Sequence, residues 1–95
     1  MIRFLAMSAP FQIGTTPNPN SIRVGLSESK FAKPTTYRTA QEAAAEPIAQ
    51  ALFGIPGVTQ VFTLNNFITI TKDPAASWSK IEPKVAEVLM AKLNG

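Results

Sequence analysis

The residue types that most often do chemistry in proteins are scarce in this sequence of 95 residues. It has no cysteine and no histidine, so thiolate nucleophiles, imidazole bases, disulfides, zinc fingers and cysteine-held iron–sulfur clusters are excluded within this chain. The remaining candidates are the carboxylates, which are Glu28, Glu42, Glu46, Asp73, Glu82 and Glu87. None is paired with a plausible base, nucleophile or glycine-rich phosphate loop. We therefore expect no catalytic residue and no metal site, and a protein that is not an enzyme.

The charge of the chain bears on which partners it can have. The formal net charge is +3, and charged residues make up 16% of the sequence without forming a run. This mild positive field favours solubility and encounter with acidic partners, but it lacks the clustered lysines and arginines of a nucleic-acid site. No stretch approaches the roughly 20 apolar residues that a membrane-spanning helix needs. We expect neither a nucleic acid nor a membrane as partner.

The first ten residues, MIRFLAMSAP, combine one arginine with a short apolar patch. The pattern is similar to a clipped signal peptide, but its apolar core has only about half the usual length. We interpret the segment as a structured or frayed N-terminus and expect a cytoplasmic location. With 45% hydrophobic residues, a chain of 95 residues is long enough for one compact core and too short for two. We therefore expect residues 1–95 to form a single domain.

The segment TTPNPNS, residues 15–21, combines two prolines with two asparagines. Each proline fixes its own φ and biases the residue before it toward extended backbone. The asparagine side chains can bond neighbouring backbone groups. The run that follows has apolar residues at every second position, namely Ile22, Val24 and Leu26. The segment thus predicts a stiff turn that sets the register of a β-hairpin. Its expected role is mainly structural, and its candidate partner-binding residues are Thr16, Pro17, Asn18, Pro19 and Asn20.

The middle of the chain predicts a surface connection followed by a kinked helix. Residues 27–38, SESKFAKPTTYR, are polar and contain a proline, which is typical of a connection. Thr39 and Glu42 have the spacing of a capping box ahead of three alanines, so a helix is predicted to start at Thr39. Pro47 should interrupt it and open a second helix, from Pro47 to Phe53. Gly54 is placed to end that helix in the left-handed conformation.

The clearest hairpin signal is GVTQVFTLNNFITITKD, residues 57–73, in which two β-branched and aromatic runs flank Asn65 and Asn66. With a loop formed by these two asparagines, one face carries Val61, Ile68 and Ile70, and the other carries Phe62, Leu64 and Phe67. We expect the helices to cover the first face. The second face is partly apolar, and either N-terminal residues cover it or part of it receives a partner.

The C-terminal segment, SWSKIEPKVAEVLMAKLNG, predicts an amphipathic helix. Ser77 is a suitable N-cap, and Pro83 lies early enough for the opening turns to absorb its cost. The apolar stripe consists of Trp78, Ile81, Val85, Val88, Leu89 and Leu93. Because an aromatic residue in such a stripe is more often part of the core, we assign Trp78 a structural role.

These signals together predict an α+β fold with the element order ββαββα. We expect a four-stranded, mainly antiparallel sheet with the helices packed on one face. The predicted core residues are Ile48, Leu52, Val61, Ile68, Ile70, Val85 and Leu89.

Several ordered blocks of the sequence resemble the Nfu/NifU N-terminal domain family. The blocks are TPNPNS, AEPIAQALFGIPGVTQVF, FITITK and IEPKVAEVL. The family's pattern has a Thr-Pro-Asn-Pro-Asn turn, a Ser-Pro-Leu-Ala helix start, Leu-Phe-x-Ile-x-Gly-Val, and Phe-Ile-Thr-Val-Thr-Lys before a terminal helix. The resemblance covers a domain core of about residues 11–93. Glu46 stands where the family commonly has serine, and Ala44 where a bulkier residue is common, which affects the expected helix start.

In that family the domain often precedes a second domain with a Cys-x-x-Cys pair that binds a transferable iron–sulfur cluster. The resemblance implies that this chain is a stand-alone or accessory member of the cluster-assembly system and binds no cofactor itself. It implies a non-catalytic scaffold or protein-interaction domain that contacts an iron–sulfur carrier or apo-protein, as a monomer or weak homo-oligomer. The alternative is a small-ligand or stress-associated binding domain on the same fold.

Overall fold

The computed structural model describes residues 11–27 and 29–94 of the chain. Its elements are β1 (Phe11–Thr15), β2 (Ser21–Leu26), β3 (Phe31–Tyr37), α1 (Pro47–Phe53), β4 (Val58–Asn65), β5 (Phe67–Lys72) and α2 (Trp78–Asn94). The strands form one antiparallel sheet in the order β1-β2-β5-β4-β3. The α+β class is confirmed. The predicted strand number and element order are wrong, because the described sheet has five strands and the order is βββαββα.

The additional strand is β3, which the sequence analysis predicted as a surface connection. It lies at the edge of the sheet and pairs with β4, with a shift of register between Phe31 and Thr35. Pro34 lies inside the shift, and proline has no N–H to give to a ladder. Phe31 is the strand's one fully buried residue. The sequence did not predict β3 because an edge strand needs few core residues and tolerates a proline, so its sequence can be as polar as that of a connection.

The two predicted hairpins are both present. The first joins β1 to β2 across residues 16–20, with Thr15 paired to Ile22. In the second, Leu64 pairs with Phe67, so Asn65 and Asn66 form the loop as predicted. Asn65 has a φ of 51°, the left-handed conformation that asparagine tolerates better than most residues.

The helix predicted to start at Thr39 is absent, since residues 39–45 form turns instead. One of the two capping-box contacts is nevertheless made, and the Glu42 side chain bonds the N–H one residue before Thr39. Glu42 N–H donates to Thr39 Oγ1 at 3.0 Å, and Glu42 Oε1 accepts from Arg38 N–H at 2.7 Å. The turns do not extend into a helix because Glu46, which precedes Pro47, is held in extended backbone with φ −117° and ψ 102°. Helix α1 begins at Pro47 and ends at Phe53, as predicted.

The end of α1 differs from the prediction for Gly54. That residue has φ −70° and remains right-handed, while Gly57 carries the positive φ, at 99°. A Cβ at Gly57 would lie 2.9 Å from Ala76 Cβ and 3.2 Å from Ile81 Cδ1. The chain therefore makes its sharp turn three residues later than predicted, where it enters β4 against the start of α2.

Helix α2 begins after Ser77, which acts as the predicted N-cap. Ser79 N–H donates to Ser77 Oγ at 3.3 Å, and Ile81 N–H donates to Ser77 O at 3.2 Å. Pro83 lies inside the helix without ending it. Within the described residues the helices are α1 and α2, and neither is long and apolar enough to cross a membrane.

One face of the sheet forms the core together with both helices. All seven predicted core residues are buried. The sheet contributes Ile22, Val24, Leu26, Val61, Ile68 and Ile70, and the helices contribute Ile48, Ala49, Leu52, Ile81, Val85 and Leu89. The helices therefore lie on one face, as expected. Phe31, Ala43 and Ile55 complete the same cluster.

The opposite face of the sheet is called the open face below. It carries Arg23, Phe62, Leu64, Phe67, Thr69 and Thr71, which alternate with the core residues along β2, β4 and β5. The predicted division of the second hairpin between two faces is confirmed. The sequence analysis also gave residues 1–10 as a possible cover for this face, and those residues lie outside the described part of the chain.

The positive φ of Gly57 leads to a testable prediction. We expect Gly57→Ala to lower the free energy of unfolding by at least about 1–2 kcal/mol, because a side chain there is strained in the left-handed region and also meets Ala76. Gly25→Ala is the matched control, since a Cβ at Gly25 meets nothing within 4 Å. Urea denaturation measures both variants, and equal losses would contradict the assignment.

Candidate functional site

The candidate partner-binding residues of the first turn form a compact loop closed by its own side chains. Asn18 Oδ1 accepts from Asn20 N–H at 2.9 Å, and Ser21 N–H donates to Asn18 O at 3.0 Å. Thr16 Oγ1 accepts from Asn18 N–H at 3.1 Å. Pro17, Asn18 and Pro19 are exposed. The interpretation of the segment as a stiff turn is therefore supported by its bonding, and three of its members are accessible to a partner.

A buried lysine holds the turn from the side of the core. Lys72, the last residue of β5, is 7% exposed, and its Nζ donates to Asn20 Oδ1 at 3.1 Å and to Asp73 O at 3.3 Å. The backbone adds a bond from Lys72 N–H to Asn20 O at 2.8 Å. A buried ammonium is costly without hydrogen-bond acceptors. Lys72 therefore requires Asn20 Oδ1 and Asp73 O to stay in these positions.

Trp78 holds the turn from the start of α2. Its Nε1–H donates to Pro19 O at 2.9 Å, and its ring centroid lies 5.6 Å from Lys72 Nζ, within cation–π distance. We call Asn20, Lys72 and Trp78 the turn clamp. Trp78 also packs against the core, which agrees with its predicted structural role, and its indole N–H adds a bond that the sequence did not indicate.

Sequence reasoning missed the role of Lys72. It treated the charged residues only as a set that forms no run, but Lys72 continues the period of two set by Ile68 and Ile70. That spacing points the side chain to the core side of the sheet. A lysine at an inward-facing position of a predicted strand was the signal that could have indicated a buried, hydrogen-bonded side chain.

The turn borders the open face on its other side. An open depression there is lined by Thr15, Thr16, Pro17, Asn18, Ser21, Arg23, Phe67 and Thr69. The Arg23 guanidinium carbon lies 4.1 Å from the Phe67 ring centroid, and the rings of Phe62 and Phe67 are 6.0 Å apart. The structure thus brings the candidate residues Thr16, Pro17 and Asn18 next to an arginine that sequence reasoning did not single out. The alternation of Arg23 with buried Ile22 and Val24 was its signal.

Three of the six carboxylates that the sequence offered for chemistry bond the backbone instead. Glu42 accepts from Arg38 N–H, Glu46 Oε2 accepts from Ile48 N–H at 3.3 Å, and Asp73 Oδ1 accepts from Ala75 N–H at 2.8 Å. Within residues 11–27 and 29–94, no group of three or more acidic side chains is placed to hold a metal ion.

Comparison with known proteins identifies the family. A family model described as scaffold protein Nfu/NifU N terminal matches residues 11–95. This chain belongs to the Nfu/NifU N-terminal family. In its pattern a serine commonly precedes the helix proline, and Glu46 stands there in this chain. Since Glu46 caps Ile48 N–H, the departure preserves the start of α1.

Curated relatives in the family are longer than this chain. The protein named NFU1 iron-sulfur cluster scaffold homolog, mitochondrial, from Drosophila willistoni is 41% identical over 81 residues, which are 83% of this chain and 28% of that protein. The protein of the same name from Drosophila persimilis is 40% identical, with 83% and 29% covered. The chain thus spans less than a third of the length of these relatives.

Two solved structures have a fold similar to that of this chain. The crystal structure of SAV1430 from Staphylococcus aureus matches with a TM-score of 0.74 and 30% identity, over 82% of this chain and 94% of that one. The solution structure of a NifU-like protein from Saccharomyces cerevisiae matches with a TM-score of 0.75 and 25% identity, over 88% and 77%.

The turn clamp predicts unequal roles for two neighbouring asparagines. We expect Asn20→Ala to lower the free energy of unfolding by about 1–3 kcal/mol, because it removes an acceptor from the buried Lys72 ammonium. Asn18→Ala, the matched control, should cost about 0.5–1.5 kcal/mol because its lost bond is exposed. Thermal and urea denaturation measure both.

A double-mutant cycle isolates the contact itself. If Asn20 and Lys72 act together, the effects of Asn20→Ala and Lys72→Met are coupled by about 0.5–3 kcal/mol. Additive effects, or a larger loss for Asn18→Ala than for Asn20→Ala, would show that the clamp does not hold the turn.

Proposed function

We propose that this chain is a non-catalytic interaction domain of iron–sulfur cluster assembly, which binds a cluster carrier or an apo-protein that receives the cluster. The observation that carries the proposal is the match of the Nfu/NifU N-terminal model over residues 11–95. Relatives named iron-sulfur cluster scaffold homologs support the pathway. The sequence contains no cysteine and no histidine, which supports a role carried out by surface contacts.

In this proposal the iron–sulfur cluster is cargo, held by thiolates of other proteins. A domain without reactive side chains assists transfer by keeping the donor and the recipient close together, because a higher effective concentration needs a complementary surface and no chemistry of its own. The rigid turn suits this role since its exposed prolines and asparagine are already ordered before a partner arrives.

The location and the oligomeric state of the protein stay predictions. The names of the Drosophila relatives place those proteins in mitochondria, whereas the sequence analysis favoured the cytoplasm for this chain. A monomer or weak homo-oligomer remains our expectation.

The proposal predicts direct binding to a cluster-bearing protein. We expect a Cys-x-x-Cys domain from the same organism, added to the labelled chain, to shift a contiguous set of amide resonances around residues 16–20 or on the open face. Because the chain carries a net charge of +3, binding to an acidic partner should weaken as salt rises and the screening length falls below about 10 Å. Two-dimensional NMR titration measures both effects.

The control for that titration is a cysteine-free variant of the same domain, which separates surface contact from cluster-dependent contact. If neither the Cys-x-x-Cys domain nor an apo-ferredoxin shifts any resonance at high micromolar concentration, the assembly role is contradicted. A small-ligand binding domain then becomes the better explanation.

A second prediction concerns the cargo. After anaerobic incubation with iron and sulfide, the isolated chain should retain no iron–sulfur cluster, because such clusters require thiolate ligands and the sequence has none. Visible absorption after desalting measures this, with the Cys-x-x-Cys domain as the positive control. A stoichiometric charge-transfer spectrum on the chain alone would contradict the proposal that other proteins hold the cluster.

A further inference from the structure

The open face presents an exposed arginine whose guanidinium lies over an aromatic ring. Arg23 is exposed, and its guanidinium carbon lies 4.1 Å from the centroid of the Phe67 ring. Contact with a ring face restrains an arginine on that side, and its planar guanidinium carries five N–H donors in a fork. This geometry suits a planar acceptor with two oxygens, which is a carboxylate.

The surroundings of Arg23 are uncharged and include an apolar patch beside polar residues of β1, β2 and β5. Phe62 lies beside Phe67 with 6.0 Å between ring centroids, and Leu64 pairs with Phe67 across the strands. The three side chains are partly exposed. None of the positions that the strand register places on the open face carries a carboxylate within the described residues. The face therefore offers one positive charge beside an apolar patch.

We infer that the open face binds an extended acidic segment of a partner protein, in which a carboxylate bonds the Arg23 guanidinium and a neighbouring apolar side chain packs on Phe62, Leu64 and Phe67. The inference rests on the proposed function and deepens it, because it assigns the contact surface and the chemistry of the partner. The open depression between Phe67 and the turn gives room for the segment to continue past Pro17 and Asn18.

Charge complementarity favours an acidic protein segment over two other occupants. A single-stranded nucleic acid also stacks on aromatic residues of a sheet, but it needs a groove of positive charges along its backbone. Among the paired positions of β1, β2, β4 and β5, Arg23 is the one cation on this face. A symmetric contact with a second copy would bring two positively charged faces together. A carboxylate next to an apolar side chain matches both features of the face.

The test uses the full chain and a defined probe. The probe is an acetylated and amidated peptide with a glutamate on each side of one phenylalanine, and the control peptide has glutamine in place of both glutamates. We expect the glutamate peptide to shift the amide resonances of β2, β4 and β5, and the glutamine peptide to bind at least about fivefold more weakly, since charge-assisted hydrogen bonds are roughly twice as strong as neutral ones.

Variants of the chain assign the contact to Arg23. Arg23→Gln should weaken binding of the glutamate peptide about tenfold, as expected for the loss of a charged hydrogen bond. Lys92→Gln removes the same charge from an exposed position of α2, on the other side of the sheet, and should change the affinity less than about twofold. Thermal unfolding verifies that both variants remain folded, which exposed positions allow.

Three results would overturn the inference. They are equal effects of the two variants, peptide-induced shifts confined to the helices, and tighter binding of an oligothymidylate than of the glutamate peptide on the same face. Repeating the Cys-x-x-Cys titration with Arg23→Gln separates the two proposals. If Arg23→Gln leaves binding of the Cys-x-x-Cys domain unchanged, the open face is not the contact surface, and the assembly role still stands. If the peptide binds but no cluster protein does, the assembly role is refuted, and the binding chemistry of the open face still stands.

Discussion

The buried ammonium of Lys72 connects three parts of the chain that are far apart in sequence. It ends β5, bonds the side chain of Asn20 in the first turn, and lies against the ring of Trp78 at the start of α2. A charge in this position is tolerated only if its acceptors stay in place, because an unbonded ammonium in the interior costs several kcal/mol. The position of the turn relative to the sheet and to α2 follows from that requirement.

The prolines and the clamp restrict the turn in complementary ways. Pro17 and Pro19 limit the backbone before folding, which lowers the entropy lost when the turn is ordered. The clamp then fixes where the ordered turn lies, through Pro19 O and both oxygens of Asn20. Pro17 and Asn18 remain exposed and line the depression beside the open face, while the next two residues of the turn are held from the core side. Rigidity and accessibility are thereby combined in one loop.

Local patterns predicted the strand faces and the start of α1 but failed for the helix at Thr39 and the conformation of Gly54, and long-range packing decided the rest. The alternation in SIRVGL and FITITK gave the correct faces, and Pro47 gave the correct start of α1, because strand period and proline geometry act over a few residues. The strand β3 was missed since its existence depends on the free edge of β4, which is remote in sequence. The pairing of Asn20 with Lys72, across 52 positions, and the stacking of Arg23 on Phe67 depend on tertiary structure in the same way.

The sheet itself links the turn to the open face. Ser21, at the end of the turn, pairs with Thr71 through both its strand and its hydroxyl, whose oxygen lies 2.9 Å from Thr71 Oγ1. Arg23 follows on the same face, opposite Thr69. The clamp therefore fixes the start of β2, and β2 fixes the position from which Arg23 reaches Phe67. Because the acceptor-binding arginine and its apolar neighbours lie on strands, little conformational entropy is lost in this domain when a segment binds. The ordering cost of the contact falls mainly on the partner, which is the arrangement expected of a surface that receives a flexible segment.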